Sequence, residues 1–98
     1  MDASTSGLVV TVSFPSALRA SVDNRASVVV EGATVREVIA ALERDFPGAS
    51  FHLCHETGEL RRYVNIFLEL ENIRYLQGLD TPVPPGAKIA IFPSVAGG

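Results

Sequence analysis

Ninety-eight residues at 47% hydrophobic and 19% charged, with a formal net charge of −3, allow one core and leave no room for a deep, wall-lined enzyme cleft. One Arg-Arg step and no basic block leave a nucleic-acid footprint missing. The longest apolar stretches, such as 89–92, are strand-sized and far short of a membrane span.

Residues 1–7, "MDASTSG", are polar and carry an early acid, Asp2. With no apolar segment of signal-peptide length, they read as a loose leader on a cytoplasmic protein. The single cysteine, Cys54, excludes an internal disulfide and agrees with a reducing compartment.

"LVVTVSF" (8–14) places Leu8, Val10, Val12 and Phe14 on one face and Val9, Thr11 and Ser13 on the other, which predicts a strand with one buried side. A polar connection, "SALRASVDNR", leads to "ASVVVEG", a β-branched strand that stops at Gly32. In "TVREVIAALERDF" the period changes, and Val35, Val38, Ile39, Leu42 and Phe46 form one helical stripe. Thr34 and Glu37 predict a capping box at its start, and Pro47-Gly48 stops it.

Residues 49–59 are irregular, with a short helical turn expected around 51–53. "YVNIFLEL" returns to period 2, with Val64, Ile66 and Leu68 facing one way and Asn65, Phe67 and Glu69 the other. "NIRYL" reads as a short edge strand, and "DTPVPPG" as a proline-stiffened turn. "KIAIFP" is the last strand, Ile89 and Ile91 inward, Ala90 and Phe92 outward. The order β-β-α-β-β-β with one amphipathic helix predicts a two-layer α+β domain over 8–93. It leaves Phe67 and Phe92 on the uncovered sheet face, where two aromatics mark a partner surface.

"HLCH" (52–55) contains metal-binding residue types. A structural zinc site draws four ligands from two separated pairs, and there is no second cluster, so no metal is expected. Cys54 with His55 as base fails as a nucleophile pair, because adjacent residues point apart and no third residue orients the base. No glycine-rich phosphate loop exists. Glu69, Glu71 and Asp80 read as solvated acids, and Arg61-Arg62 as surface charge or an anchor for an acidic partner.

The element order, "RYVNIF" (62–67) and the closing "FPSVAGG" (92–98) together resemble the ubiquitin-like β-grasp sulfur carriers. Among these are the small subunit of molybdopterin synthase and the thiamine-pathway carrier. The second half, 58–98, is most similar to the branch associated with cysteine biosynthesis in actinobacteria. The resemblance implies a β-grasp domain, with a mixed sheet of four to five strands on one helix, and a flexible Gly-Gly tail at 94–98.

The resemblance also implies a route. A ubiquitin-activating-type enzyme adenylates Gly98 with ATP, and sulfur replaces AMP to leave a thiocarboxylate. A sulfur-accepting synthase then takes the sulfur, and in the cysteine branch a metalloprotease frees the product. Gly98 is the reacting end, Gly97, Ala96 and Val95 are the tail that threads a partner, and Phe67, Phe92 and Arg62 form the docking surface. No permanently bound cofactor and no catalysis by the chain itself are implied. A molybdopterin synthase subunit and a protein modifier joined through Gly98 are the alternatives. One departure is "PPGAK" (84–88), which keeps the glycine but lacks the acids that family members usually carry before the last strand.

Overall fold

The structure, a computed structural model, describes residues 9–93. The leader 1–7, Leu8 with its expected place on the buried face of the first strand, and the tail 94–98 lie outside the described residues. Strand β1 (Val9–Ser13) and strand β2 (Ser27–Glu31) pair antiparallel, with Val12 opposite Val28 and Val10 opposite Val30. Helix α1 (Val35–Asp45) follows, then β3 (Val64–Leu68), the two-residue β4 (Glu71–Asn72) and β5 (Lys88–Pro93). The sheet order is β2-β1-β5-β3-β4. Its central pair, β1 and β5, is parallel and the other pairs are antiparallel, so the sheet is mixed.

Alternation in the strands sets the core. Val10, Val12, Val28, Val30, Val64, Ile66, Ile89 and Ile91 are all buried on one sheet face. They meet the buried stripe of α1, which is Val35, Val38, Ile39, Ala41 and Leu42. Among the described residues the other sheet face carries no helix, giving the two layers expected.

The helix start departs from the expected box by one residue. Thr34 Oγ1 accepts the Glu37 N–H at 3.2 Å, but the Glu37 carboxylate reaches back to the N–H of Ala33 rather than of Thr34, at 2.9 Å. Gly32 precedes it for a packing reason. A Cβ there would stand 2.8 Å from the Val38 backbone nitrogen and 2.9 Å from its Cγ2.

Three local readings are corrected. The polar connection after β1 is a 3-10 helix, Ser16–Val22, because Val22 turns fully into the core and the Arg19 Nε holds the Phe14 carbonyl at 3.0 Å. The third strand ends at Leu68, since Glu69 adopts a left-handed backbone with φ 56. "NIRYL" is mostly a 3-10 turn, Ile73–Tyr75, because Ile73 is drawn into the core and the Asn72 side chain caps the Arg74 N–H. In "PPGAK" the glycine is needed: Gly86 has φ 80, which tightens the turn closed by Ala87 N–H to the Pro84 carbonyl.

Candidate functional site

The uncovered face of the sheet holds the two aromatics where the alternation put them. Asn65 stands opposite Phe92, and Phe67 opposite Ala90. Phe67 and Phe92 are therefore diagonal neighbours, which brings their rings to 5.8 Å between centroids at 80°. That edge-to-face contact is favourable for two quadrupoles and fixes both side chains. Phe92 remains 49% exposed, and Phe67 is half-buried.

The apolar surface extends past Phe67. Leu70 is 92% exposed and Tyr75 86%. With Leu76, Glu71 and Asn72 they line a shallow cavity of about 380 Å³ beside Phe67. Soluble surfaces scatter single apolar residues; here exposed Leu and aromatic side chains form a run continuous with Phe67. Leu70 and Tyr75 were not foreseen, because Leu70 reads from sequence as a strand residue rather than a turn tip.

The two arginines separate. Arg61 is half-buried and occupied: its Nε donates to the Phe51 carbonyl at 2.8 Å and its guanidinium lies 5.0 Å from the Phe51 ring centre. Arg62 is exposed, two residues before Val64, and Val64 stands opposite Pro93 in β5. Arg62 is thus next to the strand end from which the chain runs on to Gly98. Val95, Ala96, Gly97 and Gly98 themselves lie outside the described residues.

The "HLCH" segment does not assemble a centre. His52 and His55 are exposed, and Cys54 is half-buried in a groove of about 500 Å³ between α1 and the 49–60 segment, beside Ile39, Phe51 and Leu79. Burial pushes the Cys54 thiol up, against the smaller opposing pull of Arg36 and Arg61. A raised thiol pKa leaves little thiolate at neutral pH, the reverse of what a nucleophile needs. Among the described residues no group of three or more His, Cys, Asp or Glu side chains is placed to hold a metal ion. Among them, too, no helix is long and apolar enough to cross a membrane.

Among the described residues, a mixed five-stranded sheet grasps one α-helix and leaves its other face uncovered, which defines a ubiquitin-like β-grasp protein. The family model described as the ThiS family matches residues 12–98, and the chain belongs to that family. It is 40% identical to the sulfur carrier protein CysO of Mycobacterium tuberculosis, over 91% of this chain and 98% of that one.

Among solved structures it is similar to a BexX/CysO complex of Amycolatopsis orientalis, with TM-score 0.84 and 38% identity, over 91% of this chain and 99% of that one. The small archaeal modifier protein 1 of Methanosarcina acetivorans is also similar, with TM-score 0.81 and 26% identity, over 94% of this chain and 98% of that one. The chain is a β-grasp sulfur carrier of the CysO branch.

Proposed function

We propose that the chain carries sulfur as a thiocarboxylate on Gly98 and delivers it in the biosynthesis of cysteine or a related sulfur metabolite. The observation that carries this is the extent of the match. The family model runs through residue 98, and the mycobacterial sulfur carrier is matched over 98% of its length.

A carboxylate is a poor electrophile. A partner of the ubiquitin-activating type would join the Gly98 carboxylate to the α-phosphorus of ATP, releasing pyrophosphate. Sulfide then attacks the acyl carbon, the bond to the phosphoryl oxygen breaks, and AMP leaves with that oxygen. The thiocarboxylate that remains is ionised at neutral pH and more nucleophilic than a carboxylate. A sulfur-accepting synthase takes it, and a metalloprotease is the further partner if the product stays joined to the tail. ATP belongs to the partner, and the chain, acting in the cytoplasm, holds no permanent cofactor and catalyses nothing alone.

The fold's part is docking. Residues 94–98, when extended, span about 18 Å, enough to carry Gly98 into a partner. Gly97 and Gly98 have no side chains to obstruct a narrow channel, and Val95 and Ala96 precede them. Ordering such a segment costs free energy, which contacts at Phe67, Phe92 and Arg62 offset. Aromatic rings fixed against one another lose little freedom on binding, and each buries roughly 150–250 Å² when covered.

The similarity to an archaeal modifier protein favours a second reading, an isopeptide bond from Gly98 to lysine. Deleting Gly98 separates these from a plain interaction module, since it abolishes both. Sulfide-dependent product with no lysine adducts supports the carrier; adducts with no thiocarboxylate support the modifier.

A further inference from the structure

Arg74 sits in the 3-10 turn after β4, and its side chain is committed to backbone. One Nη atom stands 2.9 Å from the Arg61 carbonyl, 3.2 Å from that of Arg62 and 2.6 Å from that of Val64. That nitrogen has two hydrogens, so one is shared between two acceptors. β4 pairs with Phe67 and Leu68 of β3, and among the described residues the first half of β3 has no strand on that side. Arg74 supplies donors there in place of a strand.

The clamped segment lies at the root of the tail. Val64 stands opposite Pro93, which has no N–H to offer, and the Val64 N–H turns back to the Arg61 carbonyl at 3.1 Å. Arg74 is held in its turn. Its own N–H donates to Asn72 Oδ1 at 2.9 Å, and Asn72 Nδ2 donates to Asn65 Oδ1 at 3.3 Å. Asn65 is the residue opposite Phe92. The chain of contacts therefore runs from the open face, through Asn65 and Asn72, to Arg74 and back to the segment bearing Arg62. A guanidinium is suited to this, being planar, always charged and rich in donors.

We propose that Arg74 is a positioning residue: it fixes the 61–64 backbone so that Arg62 and the half-exposed Tyr63 meet an incoming partner beside the tail root. The partner surface this fits pairs an acidic group for Arg62 with an apolar patch for Phe67 and Phe92. The inference rests on the sulfur-carrier reading for its assay, but not for its geometry. The bonds to the Arg61 and Arg62 carbonyls are exposed, and the one to buried Val64 is partly so. Water replaces a lost guanidinium at the exposed carbonyls, so the fold survives without Arg74 while local order does not.

The test uses the full chain with its cognate adenylating enzyme, ATP and sulfide, varying carrier concentration. Arg74→Met raises the KM for carrier by roughly three- to tenfold with kcat changed less than twofold, and Arg74→Lys falls between it and the wild type. The effect of Arg62→Ala shrinks in the Arg74→Met background, and amide exchange quickens at 61–64 while the melting transition stays cooperative. A wild-type KM in Arg74→Met, or effects of the two substitutions that simply add, overturns the proposal. If Arg74→Met fails to fold, Arg74→Lys is judged by the same criteria. If the wild type itself forms no thiocarboxylate although adenylated, the sulfur-carrier reading fails. The positioning role is then decided by partner affinity alone, wild type against Arg74→Met in calorimetry, with equal affinities overturning it.

Discussion

Gly32 and Glu43 show how single residues set the local geometry. At Gly32 an added methyl would press on the Val38 backbone nitrogen at 2.8 Å, where nothing flexible can give way. Gly32→Ala should therefore destabilise the chain by about 1–3 kcal/mol, read as a lowered urea midpoint. A midpoint equal to wild type would mean that the β2–α1 turn relaxes freely. Glu43 latches the far end of α1: its carboxylate accepts the Gly48 N–H at 2.9 Å, the Ser50 N–H at 3.0 Å and the Ser50 hydroxyl at 2.8 Å. Those bonds, the Gly48 one first, hold its carboxyl below the ordinary value of 4.5. A depressed carboxyl pKa stabilises the fold above the unfolded value, and that contribution fades as pH falls from about 4.5 through the lower folded value. Glu43→Gln should thus be less stable than wild type at pH 7, and the gap should close at low pH. Parallel urea midpoints across that range would contradict the latch.

Along β5 two jobs are divided between faces. Ile91 is 1% exposed in the core, and its neighbour Phe92 is 49% exposed on the open face. Ile91→Ala should cost about 2–5 kcal/mol of stability, measured by chemical denaturation. Phe92→Ala should cost no more than about 1.5 kcal/mol, mainly the lost ring contact with Phe67, yet weaken the docking of the adenylating partner. Equal losses of stability would mean that Phe92 is a core residue.

This division was legible in the sequence, because period 2 in "YVNIFLEL" and "KIAIFP" assigns faces without any knowledge of the fold. The helix was legible for the same reason, at period 3.6. Arg74 was not legible. Its acceptors are main-chain carbonyls 10 to 13 positions earlier, and no side-chain pattern marks a carbonyl. The end of β3 was missed because a left-handed Glu69 breaks the strand where the alternation continues. The groove beside Cys54 needed the packing of α1 against the 49–60 segment, which has no period of its own.

For the molecule as a whole, the proposed function makes the folded part a platform and gives the chemistry to the Gly98 carboxylate, a group no side chain provides. Among the described residues, the Cys54 thiol is pushed the wrong way for a nucleophile, and no group of three or more His, Cys, Asp or Glu side chains is placed to hold a metal. What the platform offers is an open sheet face with two aromatics in edge-to-face contact and an exposed arginine by the strand that leads to Gly98. The most direct measurement is intact mass spectrometry of the full chain after incubation with its cognate adenylating enzyme, ATP and sulfide. The same spectrum of protein purified from cells reads whether Gly98 is the last residue there. The account predicts a species in which one carboxylate oxygen of Gly98 is replaced by sulfur, absent when ATP is omitted or Gly98 is deleted. Confirmed adenylation with the carboxylate mass unchanged would contradict it.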